Sequence, residues 1–187
     1  MVLNRKILLI GIPAALLLWQ CMDNKISWKE EVQLQNGQVI VVKRTAKSKP
    51  FGSQGGGGWE NEGMTMQIID PKNAENPPLW EAKFVPVVFD RDPVSGQWFV
   101  VATFISCTSW YNLGRPALPY TEFRLVGRVW VQGQLTKSLI GREGNMLTGI
   151  SSKGEPDHTL ASKRAARNSF SSPSYNKIVA RWDGNNC

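Results

Sequence analysis

Trp28-Lys29-Glu30-Glu31-Val32-Gln33-Leu34, then Asn36-Gly37, then Gln38-Val39-Ile40-Val41-Val42, is the stretch that decides the fold class. Residues alternate across a strand, so Trp28, Glu30, Val32 and Leu34 share one side. Asn36-Gly37 is a two-residue turn signal, and the β-branched run after it reads as the return strand. The chain therefore opens its folded part with a β-hairpin over residues 28–44.

The same signals continue downstream. Met64–Ile69 reads as a strand that stops at Asp70-Pro71. Leu79–Phe89 is strand-rich, with Pro86 marking an edge or a bulge. Asp90–Gly96 is a turn, and Gln97–Ser106 the next strand. Thr121–Val126 and Arg128–Val131 form a hairpin around Gly127, Asn145–Ile150 is a short strand, and Tyr175–Trp182 is strand-like. Between the first strands, residues 46–62 carry Lys47, Lys49, Pro50 and the glycines 55–58 without apolar period, which predicts a flexible loop. One helix is predicted near residues 158–168, capped by Asp157 or Thr159, with Lys163, Arg164 and Arg167 as a basic polar face. Strands at turn-marked intervals with a single late helix predict a mainly β domain, an antiparallel β-sandwich or an open barrel.

The N-terminus has a different character. Arg5 and Lys6 precede an apolar run from Ile7 to Trp19, a hydrophobic helix with the layout of an export signal. The positive-inside rule holds its start in the cytoplasm, so the domain after Met22 is translocated to the periplasm. No small-x-small cleavage site follows the run, which favours a retained inner-membrane anchor over residues 1–22. Cys21 stands where a lipoprotein cysteine would stand, making lipidation the alternative, although Gln20 takes the place of a small residue. Residues 23–187 suit one domain.

Charge is read in that light. The net charge is +7 and the pI about 9.5. An exported cationic domain meets lipid headgroups and envelope polymers, whereas nucleic acid is a partner only if the chain is not exported. A solvated basic exterior accounts for the same charge. Of three cysteines, Cys107 and Cys187 fall in the domain. Their pairing would stabilise it by roughly 4–5 kcal/mol in the chain-entropy model. A buried, unpaired Cys107 is the competing reading.

Catalytic and cofactor signatures are weak. No C-x-x-C pair suggests zinc. The glycines 55–58 lack the Lys-Ser/Thr of a phosphate loop. Asp90 and Asp92 lack the remaining calcium ligands, with Val94 where an oxygen is needed. No cofactor or metal is implied. His158 is the one histidine, and Ser174-x-x-Lys177 is an isolated match to a serine–lysine pair. Glu30 and Glu31 alternate across a strand and cannot act as a facing pair. The best binding candidate is the aromatic, proline-stiffened segment with Trp110, Tyr111, Arg115 and Tyr120, suited to stacking on a sugar or gripping a peptide. The same aromatics would also serve to pin the loop to the core.

Trp28-Lys29-Glu30-Glu31-Val32, Asn36-Gly37, Glu62-Gly63-Met64-Thr65, Gly96-x-Trp98-Phe99-Val100 and Tyr111-x-x-Gly114-Arg115-Pro116-x-x-Pro119-Tyr120-x-x-Phe123 resemble a family of small exported proteobacterial proteins with an N-terminal hydrophobic anchor. The resemblance spans most of residues 28–130. It implies location and anchoring, and no catalytic residues. The expectation is a non-enzymatic, membrane-anchored periplasmic domain binding a protein or envelope polymer. A cell-envelope hydrolase using His158 or an acidic residue is the alternative.

Overall fold

Alternation along the first strand places Trp28, Val32 and Leu34 inside, and they bury as expected in the computed structural model. It describes the backbone of residues 24–53, 56–73, 75–104, 107–112, 114–148, 157–169 and 177–180. Strand β1 (Asn24–Gln33) pairs antiparallel with β2 (Val39–Ser53), β2 with β3 (Gly56–Asp70), and β3 with the short β4 (Trp80–Ala82). A second four-stranded antiparallel sheet follows in chain order: β5 (Val85–Arg91), β6 (Trp98–Thr103), β7 (Tyr120–Val126) and β8 (Val129–Gly133). Two short α-helices, α1 (Cys107–Asn112) and α2 (Leu160–Ser169), and one turn of 3-10 helix at Lys137–Leu139 complete the described elements.

The fold is mainly β, as expected, with two separate antiparallel sheets that share a core. One apolar cluster joins Trp28, Val42, Met64 and Trp80 of the first sheet to Phe89, Val100 and Phe123 of the second. Trp80 meets Phe123 edge-on with centroids 5.4 Å apart. The opposite face of the second sheet is covered too. Val87, Phe99, Val101 and Tyr120 pack there with Leu139 and Ile178. Strands buried on both faces read as continuous apolar runs, which explains Val85–Phe89 and Phe99–Val101.

Several expectations are refined. The first hairpin closes with a three-residue loop rather than two. Gly37 donates to the Leu34 carbonyl (3.0 Å) and takes φ 87°, while Leu34 donates to Gln38 (2.8 Å). This is a turn followed by a left-handed glycine. Within the stretch 46–62 expected as a loop, residues 46–53 and 56–62 are instead the far arms of a long hairpin, with Ser48 opposite Asn61 and Ser53 opposite Gly56. Backbone pairing propagates there without any side-chain period, so the sequence pattern had nothing to display. Leu79–Phe89 splits into β4 and β5, one in each sheet. Pro86 sits at a register irregularity on the edge strand β5, where its missing N–H is tolerated. Residues 145–148 are not a strand. The hairpin at Gly127 forms as expected, with φ 61° at the glycine.

Among the described residues, no helix is long and apolar enough to cross a membrane. The leader 1–22 with Cys21, together with Ser174 and Cys187, lies outside the described residues.

Candidate functional site

Five stretches of chain that are distant in sequence converge on one open groove of about 860 Å³. They are the end of β1 with its turn, the turn after β5 running into β6, the outer face of β7, residues 136–145, and the first turn of α2. Phe99 lies in its floor. The guanidinium of Arg124 stands 5.6 Å from the Phe99 ring centre and that of Arg142 stands 5.3 Å from it. The ring is thereby covered by two cations, each favoured by its negative face.

Each guanidinium is held by acids. Arg124 Nε contacts Glu122 Oε1 at 2.6 Å, and its Nη1 reaches Asp92 Oδ2 at 3.2 Å. Arg142 pairs with Asp90 and donates to Gln35 Oε1 at 3.1 Å. Asp92 also caps its own turn by accepting from the Val94 and Ser95 N–H groups, both at 3.0 Å. These two backbone donors and Arg124 lower its pKa to about 2. Asp90 behaves oppositely. Burial pushes its carboxyl above the ordinary range, offset only in part by hydrogen bonds from Arg91, Gln35 and Arg142. Arg164, at the α2 rim, is exposed and pairs with no carboxylate among the described residues.

Beneath the α2 side of the groove lies a buried ion triad. Glu30, Arg44 and Lys163 are all essentially inaccessible to solvent. Glu30 Oε2 accepts from Arg44 Nη1 at 2.8 Å, and Glu30 Oε1 meets Lys163 Nζ at 2.7 Å. The Leu147 N–H donates to Glu30 Oε1 at 2.7 Å. The triad carries one net positive charge, and backbone carbonyls absorb it. Arg44 donates to Leu147 O at 2.6 Å; Lys163 donates to Glu31 O at 2.7 Å and to Asn145 O. Trp28 adds its ring face, 4.8 Å from the Arg44 guanidinium. Burial alone would raise the Glu30 pKa, but the Arg44 and Lys163 charges and hydrogen bonds outweigh it and hold it below the ordinary range. The expectation that Lys163 belongs to an exposed basic face is therefore corrected. Its stem crosses the α2–β1 contact, and its ammonium finds three acceptors inside.

Asn145 completes the frame. Its side-chain oxygen accepts from Phe89 N (2.9 Å), and its amide donates to Phe89 O (2.9 Å) and Gln33 O (3.0 Å). Its backbone N–H donates to Val87 O at 3.1 Å. One residue thus ties the free edge of β5 to the free edge of β1.

The residues expected to bind are placed elsewhere. Trp110 and Tyr111 lie in α1 with ring centres 5.1 Å apart, and Arg115 stands 4.8 Å over Tyr111. Arg115 takes φ 56°, held by its N–H to Trp110 O at 3.1 Å, and Trp110 Nε1 donates to Pro116 O at 3.1 Å. These three side chains stack on one another. Tyr120 is apart from them, buried in the second cluster with its hydroxyl 3.3 Å from Lys177 O. Cys107 opens α1. His158 does not line the groove. It forms a bridge along β1, donating to Lys29 O (2.9 Å) and accepting from Glu31 N (2.8 Å). Thr159 caps α2 through the Ser162 N–H at 3.2 Å, as expected, and Glu31 adds a carboxylate on Leu160 N at 2.8 Å. The groove arginines carry no sequence signal, because their spacing is set by register and tertiary closure.

Comparison of the chain with protein-family models, with curated proteins and with solved structures finds no match.

Proposed function

We propose that this chain is a membrane-anchored periplasmic domain that binds an anionic envelope polymer without transforming it, and that the groove around Phe99 is its binding surface. The carrying observation is the pair of guanidiniums, Arg124 and Arg142, lying over one aromatic ring beside Arg164, which meets no carboxylate among the described residues. Arginine forks suit carboxylate and phosphate oxygens. A concave, mixed-charge lining suits a chain of repeating anions better than a flat protein partner. Phe99 is covered by its own arginines, so sugar stacking contributes little and charge dominates.

Export and anchoring rest on Arg5, Lys6 and the apolar run 7–19, with Cys21 as the alternative lipid site. The resemblance of residues 28–130 to anchored exported proteins points the same way. We further propose that Cys107 pairs with Cys187 in that oxidising compartment. Binding is favoured over envelope hydrolysis because His158 spends its backbone on β1 and stands outside the groove.

The test is retention of the full-length, detergent-solubilised protein on an immobilised polyuronate, with neutral dextran as control. Arg164→Glu is expected to weaken retention at least tenfold while leaving the melting temperature unchanged. Equal retention of the variant would sink the groove assignment. Shortening of the polymer by wild-type protein, seen by mass spectrometry, would restore the hydrolase.

A further inference from the structure

Two four-stranded sheets present four outer strands, and three of them are managed. The β1 edge is covered by His158, Asp157 and the Asn145 amide. The β5 edge is covered by Asn145 and Met146, both donating to Val87 O. The β4 edge is three residues long. Short or covered edges are the ordinary protections against unwanted pairing.

Among the described residues, β8 has none of these. Val129-Trp130-Val131-Gln132-Gly133 carries no charge, no proline and no bulge against β7. Val126 and Val129 flank the two-residue turn at Gly127, so they form a hydrogen-bonded pair. Alternation then directs the main-chain groups of Val131 and Gly133 toward β7. Those of Trp130 and Gln132 face away from it. The side chains of Val126, Val129 and Val131 are 57, 64 and 49 % exposed, an apolar patch beside this open edge.

We infer that β8 is the docking edge for a second copy of this chain, paired antiparallel about Trp130. The segment is symmetric there. With Trp130 opposite its own copy, Val129 of one chain faces Val131 of the other. Arg128 falls opposite Gln132, so chains of net charge +7 bring no like charges into register. The exposed valines line up as one apolar stripe across a continuous eight-stranded sheet, in contact across the seam where Val129 meets Val131. Two five-residue strands bury less than the roughly 1,200 Å² of a stable interface. The dimer is therefore reversible and concentration-dependent, a state that tethering in a membrane plane favours. An isologous two-fold contact closes on itself and does not propagate into fibres. This inference is independent of the groove.

Sedimentation equilibrium of the full-length chain in density-matched detergent is the test, with hydrogen exchange at low and high protein concentration. Wild type is expected to show a monomer–dimer equilibrium, with the Trp130 and Gln132 amides protected only at high concentration. Gln132→Pro removes an outward N–H without touching the β7 ladder, and is expected to be monomeric with an unchanged far-UV spectrum. Val131→Lys changes only an exposed side chain and is expected to weaken dimerisation at least tenfold, which keeps the test decisive if the proline variant misfolds. A wild type that stays monomeric to millimolar concentration overturns the inference, as does a Val131→Lys protein that dimerises as wild type does.

Discussion

On one side of the stacked sheets, β1 and β5 end against residues 145–147 and 157–163; on the other, among the described residues, β4 and β8 meet little more than each other's flanks. The closed side is polar inside. It holds Glu30, Arg44, Lys163 and Asn145, every one bound to atoms from another segment. The open side is aromatic, with Phe123 against both Trp80 and Phe84 and Trp130 Nε1 bonded to Pro78 O at 3.1 Å. Apolar contacts are non-directional and tolerate small shifts. Buried charges demand fixed partners, because each unpaired one is costly. The closed side therefore specifies how the two sheets sit, and the open side mainly supplies burial.

The sharpest way to break this contrast is Glu30→Gln. It leaves Arg44 and Lys163 buried with no counter-charge. A loss of about 3–5 kcal/mol is expected in urea unfolding at neutral pH. Lys163→Met is expected to cost less, because the remaining Glu30–Arg44 pair is neutral. The reverse ranking would show that the triad does not act as a charge-balanced unit. Asn145→Ala comes next. It strands Phe89 N and O and Gln33 O, and a loss of about 2–3 kcal/mol is expected, with faster amide exchange at Phe89.

A smaller effect sharpens the comparison within the closed side. The Glu30 pKa is lowered, so its contribution is present above the unfolded carboxylate range near 4 and fades as pH falls through the folded value. Asp90 is raised, so its ionisation weakens the fold as pH climbs from that range through the folded value. The cost of Glu30→Gln should therefore grow with pH across the acid range while that of Asp90→Asn shrinks. Parallel slopes in the two variants would refute the assignment.

Much of the fold was legible. Alternation in β1, the turn glycines and Pro86 on an edge strand are local features, set by neighbouring residues. Even the inward side of β1 was readable, including the position of Glu30. Its role was not, because its partners stand on β2 and α2, and no pattern within a strand announces a charge that is neutralised from elsewhere. The same holds for Lys163, which helical spacing assigns to a basic face. It also holds for the groove, whose arginines come from different segments. The far arms of the β2–β3 hairpin escaped because glycines and lysines carry no period, although the backbone pairs all the same.

The Glu30 carboxylate also sets an order of events. β1 and β2 pair through close neighbours in the chain, as do β7 and β8. The Leu147 N–H that seals Glu30 is 117 residues away, and the Lys163 contact to the adjoining carbonyl spans 132. Such closures form after the local ladders, since long loops delay contact. Bonds absent from the transition state act on the rate of leaving the native state. The triad is then a lock on escape more than a guide to assembly, and its strength governs how long a folded molecule persists before it unfolds.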